Sequence, residues 1–415
     1  MNRLVSLLGI LVFLFVAWLM SSHKRRVSPR VVIGGLLLQF IFAAIILRTA
    51  TGKWFFDLID AAFNAALSCV SAGSTFVFGE GFAEHFFAFK VLPTIIFFSA
   101  LMSIFYYYGV IQWIVGLFSR LMQVTLGTSG AETLSAAANV FVGQTEAPLV
   151  IRPYINSMTI SELNAIMVGG FATMAGGVLA AYVDMGISAR DLLSASVMAA
   201  PAGLMIAKVL QPEVDQPETL GGVKIEVEDK SVNVLEAIAN GTVGGLQLAL
   251  NVGAMLLVFM ALIALINLIL GWVGAQFGYV SGQGEGVNYV WTLEGFLGWV
   301  FQPVAWLLGI KWSECRNAGQ LLGLKMATNE FVAYLRLSEW AKPDDVVELS
   351  ERARKIMTFA LCGFANFSSI GIQLGGIGGM APTRQSDLAR LGFRAMLGGT
   401  LVALINACVA NIMLP

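Results

Sequence analysis

Eight stretches of almost unbroken apolar sequence constrain this chain more than anything else in it: residues 4–20, 31–47, 91–110, 163–183, 192–210, 243–270, 356–374 and 391–414. Each is near or above the roughly 20 residues with which a helix crosses a hydrocarbon core. Of the 415 residues, 57% are hydrophobic and 12% are charged, against about 25% charged in a soluble domain. A chain this apolar cannot cover its surface in water, so its solvent is a bilayer. The expected fold class is therefore an all-α integral membrane protein with about eight transmembrane helices.

The first run has the apolar character of a signal peptide. Ser21-Ser22-His23, however, leads into Lys24, Arg25, Arg26 and Arg30 rather than a small-residue cleavage site, so it reads as a retained helix. That basic cluster belongs on the cytoplasmic side, which puts the N-terminus outside. It reads as a membrane anchor rather than a contact for nucleic acid. On the same count Arg384, Arg390 and Arg394 fall inside, whereas Arg352, Arg354 and Lys355 fall outside, against the rule. The net charge of −1 points to no partner. Cys69, Cys315, Cys362 and Cys408 are isolated and there are two histidines, His23 and His85, so zinc-binding spacing is absent.

Residues 57–84 look too polar and too glycine-broken to span. Trp54, Phe55 and Phe56 beside Asp57 and Asp60 suggest an interfacial helix. Residues 212–230 form a hydrophilic linker, with Glu213, Asp215, Glu218, Glu226, Glu228 and Asp229, that divides the chain into halves. The halves look alike. Gly170-Phe171-Ala172-Thr173 recurs as Gly363-Phe364-Ala365-Asn366, 193 positions later (364 − 171). Each tetrapeptide follows a glutamate in a small, polar context: Glu146 behind Gly143-Gln144-Thr145, and Glu330 behind Thr328-Asn329. Residues 130–157 are too short for two crossings and are broken by Gly143 and Pro148. Residues 314–338 read the same way, with Gly319 and Gly323 loosening the first arm. Two re-entrant hairpins resolve both lengths, because irregular backbone is tolerated at membrane depth only inside protein or beside a cavity. By the span count they enter from opposite sides, as in an inverted repeat. The resulting partition is 1–122 scaffold, 123–211 first repeat, 212–231 linker, 232–275 scaffold span and 276–415 second repeat.

Glu146 and Glu330 carry the chemistry. An ionisable side chain at membrane depth costs about 2.5–3.5 kcal/mol on insertion scales and so tends to face a cavity or a partner. One reading is hydrogen bonding to a polar solute; the other is capping, or pairing with Arg152, Lys325 or Arg336. Gln144, Thr145 and Glu146 together offer an amide, a hydroxyl and a carboxylate, a set suited to the edge of a heterocyclic base. Asn366 and Ser369, on a span interrupted by Ser368 and Gly371, could bind vicinal hydroxyls with Glu330. Phe364 also reads as ordinary packing. Asn139 and Thr173 offer hard oxygens for sodium, and Asn139 equally reads as a helix–helix contact. Enzymatic use of the two carboxylates would need a nucleophile or metal set, which the few histidines and scattered cysteines do not supply.

At these positions the sequence resembles the concentrative nucleoside transporter family, of the bacterial sodium-coupled type. The resemblance rests on Gly143-Gln144-Thr145-Glu146-Ala147-Pro148-Leu149, Asn329-Glu330-Phe331-Val332-Ala333-Tyr334, Cys362-Gly363-Phe364-Ala365-Asn366-Phe367-Ser368-Ser369-Ile370 and Gln247-Leu248-Ala249-Leu250-Asn251-Val252-Gly253-Ala254-Met255. It implies a homotrimer in the bacterial cytoplasmic (inner) membrane, surrounded by lipid. Each protomer would have a scaffold and a mobile transport domain that carries a nucleoside such as uridine with Na+ by an elevator motion. It implies that Gln144, Thr145 and Glu146 bind the base, with Val178 and Leu248 packed on it. Glu330, Asn366 and Ser369 would bind the ribose with Phe364 beside it. Sodium would be held by Asn139 and Thr173 and by the backbone carbonyls of Val142 and Met174. Thr173 stands where bacterial relatives can have serine, and the hydroxyl is kept. Proton coupling, or another polar solute on the same plan, are the alternatives.

Overall fold

The computed structural model describes residues 2–85, 87–220, 231–277, 291–341 and 349–414. Glu226, Glu228 and Asp229 of the linker lie outside them. Among the described residues all regular structure is helical: α1 (Asn2–Leu19), α2 (Pro29–Arg48), α3 (Ala50–Phe78), α4 (Leu92–Tyr107), α5 (Val110–Leu126), α6 (Gly130–Ala138), α7 (Ile160–Ala172), α8 (Gly176–Asp184), α9 (Ala189–Leu210), α10 (Val234–Gln276), α11 (Leu293–Leu307), α12 (Trp312–Ala327), α13 (Glu330–Glu339), α14 (Glu351–Leu361), α15 (Phe367–Met380) and α16 (Gln385–Met413).

Packing sorts these helices by apolar pattern. α7, α9 and α16 are apolar on every side, pack on one another and form the centre, with α1 and α2 laid against α16 and α9. A helix apolar all round must be wrapped by protein or lipid. α10 takes the second course: only 11% of its most apolar window is buried, and its main neighbour is α4. Its 43 residues, at about 1.5 Å each, give roughly 60 Å, twice the hydrocarbon thickness. α10 and α4 approach closely because Gly241 and Gly245 sit directly on Ser99, Ser103, Ile96 and Ala100, where a Cβ would have no room. On its other side α4 meets α8, with Gly177 against Ser99.

Buried polar bonds tie α1 and α2 to the centre. The Gln39 amide donates to Asn406, which donates to Ala195 O at 3.1 Å. Ser6 Oγ donates to Leu308 O at 2.8 Å and accepts from Asn411 Nδ2 at 2.8 Å. The charged ends are equally engaged. Arg394 donates to the carbonyls of Met20 and Leu210, so the α16 entrance shares a face with the Lys24–Arg26 turn, as the span count requires. At the opposite end Arg352 donates to Asn411 Oδ1 and O (2.8 and 2.9 Å), and Arg3 to Leu414 O at 2.6 Å. Arg352 violates the charge rule because it caps the carbonyl end of α16, where a cation is favoured.

Three sequence expectations need correcting. Residues 57–84 are not broken at Gly73, where a Cβ would meet nothing: α3 runs through it as one helix of 29 residues and stops at Gly79 (φ +86°). Gly319 and Gly323 do not loosen the second hairpin. α12 is continuous through them, and they admit the backbone of Gly298 and the side chain of Leu297 from α11. The run 356–374 is interrupted at residues 362–366, before Ser368 and Gly371, both of which lie inside α15. Seven described helices satisfy the length and apolarity needed for a crossing, and up to eight do if α11 and α12, bent by 117°, count as one.

Two further helices lie outside the apolar runs: α5 (17 residues), whose apolar sequence is interrupted by Gln112, Arg120 and Gln123, and α11 (15 residues), which is short. α5 packs on α6 and α11 on α12. Each half thus has the same order: a short helix, a hairpin, a split helix and a long helix.

Candidate substrate and cation site

The first hairpin begins at a capping box, Ser129 with Glu132, that starts α6. α6 ends at Asn139, and the chain resumes as a 3-10 segment, Ala147–Ser157, with Pro148 in its first turn and its side packed on α6. Proline lacks the N–H that a helix start leaves unused anyway. The tip between them carries Gln144 (buried), Thr145 (half-buried) and Glu146 (exposed). A Cβ at Gly143 would overlap the Glu146 carboxylate, so the glycine lets that side chain fold back over its own tip. No ion pair joins Glu146 to Arg152 among the described residues.

The second hairpin turns at Thr328-Asn329. Asn329 Oδ1 accepts from Val332 N at 3.0 Å, which starts α13 and fixes Glu330 as its first residue. Glu330 is buried. Tyr182 OH donates to one carboxylate oxygen at 3.0 Å and Asn366 Nδ2 to the other at 3.1 Å. Neither basic neighbour forms an ion pair with it among the described residues, although the buried Lys325 ammonium acts on it electrostatically. Lys325 donates to Ala360 O (3.1 Å) and Cys362 O (2.9 Å), at the carbonyl end of α14, and Arg336 pairs with Glu339 at 3.2 Å. Sequence reasoning missed Tyr182. Its signal was available: it lies four residues after Val178, on the same face of α8. Its ring rests 4.5 Å from Tyr334 and 5.6 Å from Phe331.

The two split helices cross at their breaks. Phe364 N donates to Thr173 O at 3.3 Å, and Gly363 (φ +97°) lies on the carbonyl of Ala172, where any Cβ would collide. The repeated tetrapeptide is therefore not repeated in conformation: Gly170 lies inside α7 and Gly363 lies in a break. Asn366 caps α15, its Oδ1 accepting from Ser369 N at 2.9 Å and Ser368 Oγ at 2.7 Å.

α15 then joins the two tips. Gln373 Nε2 donates to Gln144 Oε1 at 3.0 Å, and Thr145 packs on Gly376. Asn366, Ser369, Gln373 and Gly376 follow 3-4-3 spacing, one stripe of one helix. That stripe holds Glu330 at one end and Gln144 with Thr145 at the other. Val178 is buried on α8 and Phe364 is half-buried at the break. Leu248 is half-buried on α10, packed against the same apolar core that holds Val178.

The cation candidates gather beside the first tip. Asn139 is 1% exposed, yet among the described residues neither of its amide atoms has a partner. It lies against Gly169, whose carbonyl accepts from Thr173 Oγ1 at 2.9 Å. Val142 and Met174 are buried nearby in sequence, and Gly176 N donates to Phe141 O at 3.2 Å, tying the start of α8 to the tip. Ser135 Oγ, one helical turn before Asn139, is a further buried and unpartnered oxygen that sequence reasoning passed over. An unmet buried polar group costs about 1–3 kcal/mol, and an amide oxygen, hydroxyls and carbonyls suit a hard monovalent cation.

Residues 191–411 match the family described as Na+ dependent nucleoside transporter C-terminus, and residues 8–81 match its N-terminus. The chain belongs to the Na+ dependent nucleoside transporter family. Residues 88–189, which hold the first hairpin and α8, match the family described as nucleoside recognition, Gate. An uncharacterized transporter of Haemophilus influenzae is 47% identical over 99% of this chain and 98% of its own length. Sodium/nucleoside cotransporter 1 of Mus musculus is 44% identical over 99% of this chain, which spans 64% of that longer protein. CNTnw in an inward-facing substrate-bound state superposes with a TM-score of 0.92 at 44% identity, covering 100% of this chain and 98% of that one. A CNTnw variant in an outward-facing state superposes with a TM-score of 0.91 at 43% identity over the same shares. The Na+ dependent nucleoside transporters move solutes rather than transform them, and this member is a membrane transporter, not an enzyme.

Proposed function

We propose that this transporter is a sodium-coupled symporter that imports nucleosides such as uridine across a bacterial cytoplasmic membrane. The observation that carries the reading is the α15 stripe, which joins an amide–hydroxyl–carboxylate tip to a buried carboxylate that makes no ion pair among the described residues. Gln144, Thr145 and Glu146 meet the base, and Glu330, Asn366 and Ser369 take the ribose hydroxyls. Phe364 and Val178 pack beside the ligand, with Leu248 reaching it from α10. Sodium, the co-transported ion, sits at Asn139 and Thr173 with the carbonyls of Val142 and Met174.

Coupling follows from the shared tip. An ion at Asn139 and Thr173 orders the turn that presents Gln144, so sodium raises nucleoside affinity and the nucleoside raises sodium affinity by the same factor. The translocation we propose is an elevator movement in a homotrimer. Residues 123–211 and 276–415 travel against a scaffold of 1–122 and 232–275, across hairpins that re-enter from opposite faces. The test is uridine uptake into proteoliposomes under an inward sodium gradient, with a proton gradient as the control. Asn139→Ala should raise the sodium concentration for half-maximal uptake by more than about tenfold, the scale of one lost polar contact. Glu330→Gln should reduce uptake about a hundredfold. Uptake driven by protons alone, or untouched by both substitutions, ends the reading.

A further inference from the structure

We propose that Gln373 sets the hydrogen-bonding polarity of Gln144, so that this site reads an acceptor, not a donor, on the nucleobase edge. The inference rests on the base-binding role given to Gln144 above and adds the direction of the contact and a positioning residue outside it. Gln373 is fully buried on α15. Its Nε2 donates twice, to Met167 O at 3.1 Å and to Gln144 Oε1 at 3.0 Å. A backbone carbonyl only accepts, so the Gln373 group facing Met167 must be the NH2. The second hydrogen of that NH2 then needs an acceptor, and Gln144 supplies its oxygen. Turning Gln373 over would set its oxygen against two oxygens, and turning Gln144 over would set NH2 against NH2, each at a buried cost of order 1–3 kcal/mol. The usual ambiguity of amide assignment is thereby removed by a main-chain group.

The Gln144 atom left over is Nε2, a donor. No protein group takes it up among the described residues, and it is not one of the buried atoms lacking a partner. Gly170 makes the arrangement sterically possible. A Cβ there would lie 2.7 Å from Gln373 Nε2 and 2.9 Å from Gln144 Cβ. The ligand class that fits is a nucleoside whose base presents a carbonyl oxygen or a bare ring nitrogen to this tip. A base offering an N–H at that point would leave two donors facing each other.

The experiment measures sodium-dependent binding of uridine, 2-thiouridine and 4-thiouridine to the full-length protein in detergent, since sulfur is a weak acceptor. The wild type should lose about tenfold in affinity for one of the two thio compounds. Gln373→Met, close in volume but without a donor, frees Gln144 to rotate, and that penalty should shrink to within about twofold while uridine still binds. Gln373→Glu should turn Gln144 over and reverse the preference between a carbonyl and an amino group at the position so identified. Gly170→Ala, which crowds the pair without removing either amide, should weaken the same discrimination. A thio penalty that is absent in the wild type, or unchanged in Gln373→Met, overturns the proposal. Failure of the wild type to bind uridine at all removes the nucleoside reading beneath it, which is a different result.

Discussion

Glu330 is a carboxylate whose two buried partners both donate to it, and both polarities are fixed. An ionised carboxylate only accepts, so the Tyr182 hydroxyl is the donor. Asn366 spends its oxygen on Ser369 N, so only its NH2 can face Glu330. The carboxylate is thus held by two neutral donors rather than in a direct ion pair among the described residues, and a solute hydroxyl can compete for it without breaking one. Hydrogen bonds to charged groups are worth about 1.5–3 kcal/mol. Tyr182→Phe should therefore weaken nucleoside affinity by about tenfold while leaving the sodium dependence intact. Equilibrium binding at several sodium concentrations checks this, and a variant indistinguishable from wild type would show that Tyr182 merely fills space. Asn139 presents the opposite case, a buried amide with no hydrogen-bond partner among the described residues. Read from sequence it was equally a helix–helix contact, and the unmet atoms are what favour a ligand.

Helix breaks place these side chains, and each break has its own physical cause. α12 gives way to α13 because Asn329 caps the second helix with its side chain. α14 stops because Gly363 takes φ +97° and passes over the Ala172 carbonyl. Backbone in such a region costs on the order of 1–3 kcal/mol for a residue with a side chain, before the collision is counted. Gly363→Ala should accordingly lower the thermal unfolding midpoint in detergent by several degrees and abolish uptake. Gly371→Ala should do the reverse. It lies inside α15 with open space at its Cβ, and replacing a helical glycine by alanine gains about 0.4–1 kcal/mol. If the two variants melt alike, the break has been misplaced.

Across the whole molecule, α4 faces two ways. Toward α10 it is locked by glycines pressed onto serines; toward α8 it has the close glycine Gly177, and among the described residues Lys90, just ahead of α4, pairs with Asp184 at 3.0 Å. If the part bearing α8 slides past α4, that pair breaks in every cycle. Partly exposed pairs contribute about 0.2–1 kcal/mol. Lys90→Met should therefore speed exchange of labelled uridine across the membrane by up to about fivefold, with affinity in sodium kept within about twofold. An unchanged exchange rate would mean that α4 and α8 do not form the sliding surface.

The apolar runs, the two glutamates and the motifs around them were enough to specify a helical membrane protein with paired hairpins and its family. Hydrophobic length and the cost of a charge in lipid are local properties, readable along one dimension. What could not be read were facts of contact between distant segments: Gln373 on Gln144, Tyr182 on Glu330, and Gly363 on Ala172. Apolar runs also failed to mark α5 and α11, which pack on α6 and α12, and Gly73 does not break α3 although Gly79 ends it. The sequence by itself determined which residues must avoid lipid. Only the tertiary structure decided which of them face each other, because a hydrogen bond's direction depends on what the partner has already given away.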